Sequence, residues 1–175
     1  YPSVMISPYD RDLIIEGSEI RRKWMDGIIS QFNRNYLDSL QRYQKILDQR
    51  NALLKNMYEN RLFDSESIEV WNEQMIQAGE IIYKARKEFL EEFIPIFQSH
   101  YNNIGLEKEE VHLKYRSQLN ELSFKDLIKE YEQKDAFSHY SNAGTHKDDL
   151  TFTIKGYPVK KFGSQGQQKS FLIAL

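Results

Sequence analysis

The sequence predicts a mixed, mainly helical protein in which an antiparallel helical arm is followed by an α+β part whose sheet is incomplete. Three features support this: two long stretches with coiled-coil spacing, an alternating apolar pattern after Gly105, and a small-polar loop before a final apolar segment. With 175 residues, the chain has room for about one domain. We expect residues 18–103 to form the arm and residues 104–175 to form the α+β part, which would belong to a larger sheet.

The start of the chain predicts a short helix. Ser7 is a suitable N-cap, Pro8 suits the first helical position, and Asp10 places an acidic group in the first turn. Gly17 should end this helix, and Ser18 should begin the next one.

The arm predicts two long helices. Their apolar residues recur at alternating spacings of four and three, which is typical of a coiled-coil seam. The first set is Tyr36, Leu40, Tyr43, Leu47, Leu54 and Met57, and the second is Ile68, Trp71, Met75, Ala78, Ile82, Ala85 and Phe89. Arg50 is the one break in the first seam. The short link 61–67 favours an antiparallel pair, and Pro95 should kink or end the second helix.

After Gly105 the pattern changes to strands around one helix. Val111–Tyr115 alternates apolar and polar residues, like a strand. Ser123 and Asp126 resemble a capping box that opens a helix of about twelve residues. Two further apolar runs flank a turn and predict a hairpin: residues 150–154, the turn 155–158, and residues 159–162.

The loop Gly163–Gln168 is the leading candidate for a binding site. Its small polar residues run directly into an apolar helix. Backbone N–H groups and a hydroxyl at a helix N-terminus suit a phosphate, although the same composition also suits a plain capping loop.

Two other polar clusters are candidates. His146 and Lys147 precede the acidic pair Asp148-Asp149 in a dense polar cluster, which fits either a metal or acid/base site or a plain polar loop. Arg21 and Arg22 belong to a basic run that fits either a solvated helix surface or contacts to DNA phosphates. Because the chain has no cysteine and His146 has no second histidine nearby, we expect no metal site, and no residue is assigned a catalytic role.

Composition narrows the classes of function. The net charge of −2 argues against a chain that coats nucleic acid with its whole surface. The sequence has no apolar run long enough to span a membrane and no leader pattern, so we expect no membrane partner. The absence of cysteine fits the cytoplasm. Because the sequence starts at Tyr1 rather than Met and stops on the apolar Leu175, we expect it to be a fragment.

Five stretches in order carry a resemblance to a known family. They are Ser7-Pro-Tyr-Asp10 with Leu13, Ile14 and Gly17; Arg21-Arg22 with Met25-Asp26; Tyr43 with Gln49-Arg-Asn-Ala-Leu-Leu-Lys55; Gly144-Thr-His-Lys-Asp-Asp-Leu150; and Lys161-Phe-Gly-Ser-Gln-Gly-Gln-Gln168. Their order and separation resemble the RecF family of ABC-type ATPases over nearly the whole chain.

The resemblance implies a coiled-coil-like arm, residues 18–103, inserted into an incomplete α/β ABC-type ATPase head, with residues 1–17 ending the first head segment and residues 104–175 beginning the second. It makes Arg21, Arg22, His146 and Lys147 candidate contacts to DNA or to the head. It also implies cytoplasmic localisation, and ATP and Mg²⁺ as cofactors of the full-length protein. It implies a homodimer that forms around ATP, binding to gapped DNA or to single-strand/double-strand junctions, partners RecO and RecR, and a role in loading RecA during repair and the SOS response. It also implies that Ser164, Gly166 and Gln167 contact ATP held by the other subunit. Gln165 departs from the general ABC signature, which has glycine there.

Other motifs of that family are missing from this chain. It contains neither a Gly-x-x-x-x-Gly-Lys-Ser/Thr loop nor an apolar run that ends in the magnesium-binding acid. We therefore expect this chain alone neither to bind ATP tightly nor to hydrolyse it.

Two alternatives stay open. The chain could be an autonomous helical scaffold that binds other proteins, with an incidental Gly/Gln loop. It could also be a head fragment of another SMC-like ATPase, such as an SMC or Rad50 protein. Those relatives carry far longer arms, whereas this helical pair spans about 30 residues a side, or ~45 Å.

Overall fold

The computed structural model describes residues 11–61, 64–104 and 109–175. The predicted helix start at Ser7 lies outside these residues. The elements in chain order are α1 (Asp12–Ile15), α2 (Ser18–Phe32), α3 (Arg34–Asn60), α4 (Ser65–Asn103), β1 (Val111–Arg116), α5 (Phe124–Ser138), β2 (Asp149–Ile154), β3 (Tyr157–Pro158), α6 (Val159–Phe162) and α7 (Gln165–Ala174). The predicted fold class, mainly helical with some sheet, is confirmed.

The chain divides into two compact units. The sheet unit comprises Tyr1–Met25, Lys87–Arg116 and Asp149–Leu175, and the helix unit comprises Asp26–Arg86 and Ser117–Asp148. These boundaries differ from the three predicted segments, because residues 117–148 group with the arm helices rather than with the strands. Within the helix unit, α5 packs on α3. This contact joins segments far apart in the sequence, so local sequence patterns do not predict it.

The helix unit is built on an antiparallel pair, as predicted. Met57 near the end of α3 packs with Ile68 near the start of α4. Further along, Arg50 donates to Asn72 over 2.8 Å and Arg86 donates to Tyr36 over 3.1 Å. Contacts closer to the start of α3 therefore involve residues further along α4, as in an antiparallel pair. Most members of the two apolar series are buried, and Tyr36, Met75 and Ile82 are fully so. The exceptions are half-buried: Leu40, Trp71, Ala85 and Phe89.

Helix α4 continues through Pro95 to Asn103, so of the two predicted effects of Pro95, a kink or an end, the helix end does not occur. Proline removes one backbone hydrogen bond from a helix. Beyond it, Phe97 and Tyr101 are both fully buried and pack on Phe171 at centroid distances of 4.8 and 5.6 Å. Burial of large aromatic side chains contributes about 1.5–3 kcal/mol each, which offsets the lost bond.

The sheet unit contains an antiparallel sheet in the order β1-β2-β3. Val111 lies opposite Ile154 and Arg116 opposite Asp149. Alternate residues of both strands are buried, as the predicted period of two requires. On this face Phe152 meets Phe171 of α7 at 5.4 Å between ring centroids.

The predicted hairpin forms, but its second strand is shorter than expected. Lys155 and Gly156 have φ values of 50° and 79°, which give a two-residue hairpin turn. Tyr157–Pro158 completes the ladder, and residues 159–162 form α6 rather than a strand. Pro158 has no N–H to donate to a ladder, and its φ of −57° suits the start of a helix.

Candidate functional site

The loop before α7 is held in shape by a capping box. Ser164 is the N-cap: its Oγ accepts from the N–H of Gln167 over 3.2 Å, and its own N–H donates to Oε1 of Gln167 over 2.8 Å. These reciprocal bonds satisfy two backbone donors of the loop and first turn. Ser164 and Gln167, both predicted site residues, are therefore joined directly.

Gln168, which is buried, also holds this loop in place. This side chain is 6 % exposed, and its Nε2 donates to the carbonyl of Gly163 over 3.1 Å. Its Oε1 accepts from Nε of Arg11 over 3.0 Å. A Cβ on Gly163 would lie 2.7 Å from the carbonyl oxygen of Val159, so the close turn requires glycine. The backbone that carries Ser164 is thus fixed on its inner side.

Glu109 holds Gln167 from the side. Gln167 Nε2 donates to Glu109 Oε1 over 2.7 Å, and the Tyr101 hydroxyl donates to Glu109 Oε2 over 3.0 Å. Burial, together with the neighbouring Glu109 carboxylate, raises the pKa of Tyr101 above its ordinary value. Tyr101 therefore stays a donor through the neutral range, and Gln167 is fixed at both ends of its amide.

Gly166 stands in the exposed first turn of α7. An α-helix gives its first N–H groups no internal acceptor, so those of Gln165 and Gly166 point along the axis toward the loop side. A Cβ on Gly166 would meet nothing closer than the Ser164 Oγ at 3.9 Å. Glycine in a helix costs about 1 kcal/mol relative to alanine, and the described residues supply no packing reason for it.

The predicted residue His146 is held on both sides of its ring. Its Nε2 lies 3.0 Å from the Ser141 carbonyl oxygen, and its Nδ1 lies 2.9 Å from the Tyr43 hydroxyl. Since a carbonyl only accepts, Nε2 donates, and in the neutral ring Nδ1 accepts from Tyr43. Lys147 is exposed, with its Nζ 5.3 Å from the ring centroid of Tyr140. The structure therefore separates these neighbours into an inward histidine and an outward lysine.

Arg86 fixes the backbone on which His146 lies. Its guanidinium donates to the Thr145 carbonyl and to Asp148, both over 2.8 Å, and to Asp26 over 2.9 Å. Arg86 is 2 % exposed and Asp148 is fully buried. Tyr36 donates to the same Asp26 carboxylate. The predicted acidic pair therefore splits, with Asp148 in this buried network.

Arg21 is buried, so the prediction of a solvated helix surface does not describe it, and its contacts lie within the fold. It is 9 % exposed and pairs with Asp149 through two bonds of 2.7 and 3.2 Å. A third nitrogen donates to the carbonyls of Leu13 and Glu16. Arg21 thus joins α1 to the start of β2. Arg22 is half-buried and interacts with other groups.

Several residues around these sites carry no local motif. Among them, Arg50 could have been identified from the sequence, because a cation within an apolar series requires a buried partner. That partner is Asp135, 2.8 Å away, and both side chains are almost fully buried. Glu109, Arg11 and Arg86 could not be singled out, since each contact joins positions far apart in the chain.

Two kinds of site are absent from the described ranges. Among those residues, no group of three or more His, Cys, Asp and Glu side chains could hold a metal ion. None of the helices there combines the length and apolar character needed to cross a membrane.

Comparisons with known proteins agree with the sequence resemblance. No family profile matches the chain. The chain is 55 % identical over 174 residues to the DNA replication and repair protein RecF of Flavobacterium johnsoniae, covering 99 % of this chain and 48 % of the relative. It is 50 % identical to RecF of Phocaeicola vulgatus, with 99 % and 46 % coverage.

A solved structure supports the same assignment. The recombination mediator protein RecF bound to ATP superposes with a TM-score of 0.88 at 26 % identity, covering 97 % of this chain and 47 % of that one. A second RecF structure, with ATPγS, gives the same TM-score at 27 % identity. The chain spans about half the length of the relatives it matches, and it belongs to the RecF family.

Proposed function

We propose that this chain supplies the arm and the signature segment of an ATP-dependent DNA-repair protein of the RecF type. In this proposal Ser164, Gly166 and Gln167 contact the terminal phosphate of ATP held by a second subunit. ATP then joins two copies, and binding is linked to assembly. The dimer acts on gapped DNA with RecO and RecR to help load RecA, and Mg²⁺ accompanies the ATP in the full-length protein.

One observation carries the nucleotide part of the proposal: the exposed helix N-terminus at Ser164 and Gly166. Its N–H groups and positive dipole end suit an anion. Gly166 has no side chain, so a phosphate can approach the backbone closely. Packing among the described residues does not require glycine at this position. Gln168, Glu109 and Tyr101 hold the loop rigid, so little ordering would be required on contact. The matched RecF protein was solved with ATP.

The DNA part of the proposal rests on the family and on two exposed basic positions. RecF relatives are named as DNA replication and repair proteins. Lys147 is exposed, and Arg22 is partly exposed, so both can approach a phosphate. Arg21 and His146, whose polar atoms are engaged inside the fold, act by holding their neighbours in place rather than by touching DNA.

Sedimentation of the full-length protein with and without ATP tests the nucleotide part. We expect dimers with ATP, and we expect Ser164→Arg to abolish them while nucleotide binding by the monomer stays within about twofold. The bulky cation blocks the approach of the second subunit.

Ser123→Arg is the matched control. Ser123 is also an exposed N-cap, whose Oγ accepts from the Asp126 N–H over 3.1 Å. Loss of either cap costs about 1 kcal/mol, so both variants should be similarly stable, and Ser123→Arg should still form dimers. Dimers that persist in Ser164→Arg, or that vanish in both variants, would contradict the assignment of the signature loop.

A further inference from the structure

An exposed aromatic cluster lies where α3 and α5 end. We call it the aromatic patch; it comprises Tyr58, Phe137, His139, Tyr140 and Lys147. Phe137 is 86 % exposed, Tyr58 62 % and Tyr140 47 %. The rings of Tyr58 and His139 are stacked, with centroids 3.7 Å apart and planes at 29°. Large exposed rings grouped in this way are unusual on a protein surface and mark interaction sites.

The backbone beneath the patch is rigid. His139 adopts φ 60° as the C-cap of α5, and its N–H donates to the Asp135 carbonyl over 2.8 Å. The buried Asp135 carboxylate accepts from the N–H and side chain of Asn142 over 2.8 and 3.0 Å. Its other oxygen accepts from Arg50 over 2.8 Å. The turn that carries Phe137 and Tyr140 is therefore held by a charge pair in the core.

Rigid presentation matters because it lowers the cost of binding. A ring on a flexible loop must be ordered when a ligand arrives, whereas a ring on a fixed turn is already in place. Tyr58 stays largely exposed although its ring stacks on that of His139.

Lys147 supplies a cation to the patch. Lys147 is exposed and lies over the ring of Tyr140 at 5.3 Å. Lys134, one turn before Ser138, is exposed and lies 5.1 Å from the Tyr131 centroid. The nearby Glu59 is within 3.9 Å of Lys55, so that part of α3 adds no net charge.

We propose that the aromatic patch binds single-stranded nucleic acid by stacking bases on its exposed rings. Aromatic faces beside cations are the general means of binding single strands without sequence preference, since every base has a π-face and every linkage a phosphate. A protein partner fits less well, because lysine is depleted from the centres of protein–protein interfaces. The aromatic patch adds a binding site to the proposed DNA-repair function. The proposal rests on that function only in taking nucleic acid as the ligand.

Fluorescence anisotropy of the full-length protein with a short thymidine oligonucleotide tests the proposal. We expect Phe137→Ala and Tyr140→Ala each to weaken single-strand binding by about 5- to 150-fold, the range that one stacked base supplies. Lys147→Gln should lower the salt dependence of log K by about 0.7. A single strand carrying 2-aminopurine should show quenching by the parent protein and less quenching by the aromatic variants.

Phe32→Ala is the matched control. Phe32 is 67 % exposed and ends α2, just before the far end of α3 from Tyr58, so its loss should leave single-strand binding unchanged. Thermal unfolding of each variant checks that the fold is intact.

Two outcomes would overturn the proposal. The first is unchanged single-strand binding in the double variant F137A/Y140A. The second is an equal loss of binding to a duplex of the same length, which would indicate backbone contact or misfolding rather than stacking. ATP-dependent dimerisation, measured on the same variants, separates the two proposals: the patch can fail while dimers persist, and dimers can fail while stacking persists.

Discussion

The helix unit and the sheet unit each contain a dense polar cluster, but the first cluster is buried and the second is exposed. Thr145 and Asp148 are 1 % and 0 % exposed, and Arg86 binds both. Ser164 and Gly166 are exposed at the start of α7. Both clusters are rich in hydrogen bonds. The difference is that the buried one directs its polar groups at one another, whereas the exposed one leaves helix N–H groups directed outward.

This difference separates positioning from binding. A buried network in a medium of low dielectric fixes geometry strongly, because any unpaired member is costly. The capping box at the surface adds two bonds to those that Gln168 and Glu109 supply, and it leaves the first turn of α7 open. We therefore expect substitutions in the first cluster to change stability, and substitutions in the second to change binding.

The largest expected effect is in the buried cluster. Arg86→Met should lower the free energy of unfolding by about 3–5 kcal/mol, because it leaves the Asp26 and Asp148 carboxylates without their shared cation. Equilibrium urea unfolding followed by circular dichroism measures this. Arg34→Met is the control, since Arg34 forms an exposed pair with Asp38 and such pairs contribute at most about 1 kcal/mol. Similar losses in both variants would contradict the distinction.

The same change at two glycines sharpens the comparison. Gly144 has φ 126°, and a Cβ there would lie 2.3 Å from the Tyr43 hydroxyl, so Gly144→Ala should cost roughly 2–4 kcal/mol. Gly166→Ala should instead stabilise α7 by up to about 1 kcal/mol while it weakens ATP-dependent dimerisation.

Thermal unfolding and sedimentation together check this pair. Gly27→Ala is the control for helix stabilisation alone, because its Cβ would meet no atom within 4 Å. A Gly166→Ala variant that is more stable and still dimerises normally would mean that the exposed first turn is not a contact site.

Local patterns in the sequence determine much of this fold. The N-cap at Ser123 and the alternation of β1 each depend on residues close in sequence, and each is confirmed. Most residues of the two apolar series are buried as well. The position of Ser164 at the start of α7 was equally readable from the chain. These features follow from periodicity and capping, which act over one or two turns.

Long-range contacts explain the rest. Glu109 bonds to Gln167 across 58 positions and Arg11 to Gln168 across 157 positions, and no spacing rule connects such positions. Pro95 was expected to kink or end a helix on local grounds, yet burial of Phe97 and Tyr101 keeps that helix going. Arg21 shows the same limit, since its neighbours in sequence are exposed or half-buried while Arg21 itself is buried against Asp149.

The smallest expected effect concerns Tyr43, which is 3 % exposed and bonded to His146. Burial raises the pKa of Tyr43 above its ordinary value near 10. The folded chain therefore keeps this proton at a pH where the unfolded chain releases it. The stability that this difference represents is complete below about pH 10 and is lost as the pH rises further toward the folded pKa, at up to about 1.4 kcal/mol per pH unit.

Tyr43→Phe should remove the part of the stability loss at alkaline pH that comes from Tyr43. At neutral pH we expect the variant to be about 0.5–1.5 kcal/mol less stable, because His146 loses a hydrogen bond. Between about pH 10 and pH 11 its stability should fall less steeply than that of the parent chain, since one fewer buried hydroxyl titrates on unfolding. Urea unfolding across this range measures both, with Tyr58→Phe, a change at an exposed ring, as the control. If the free energy of unfolding falls equally steeply with pH in all three proteins, the Tyr43 hydroxyl is accessible to water in the folded state. That result would contradict burial of the cluster around His146.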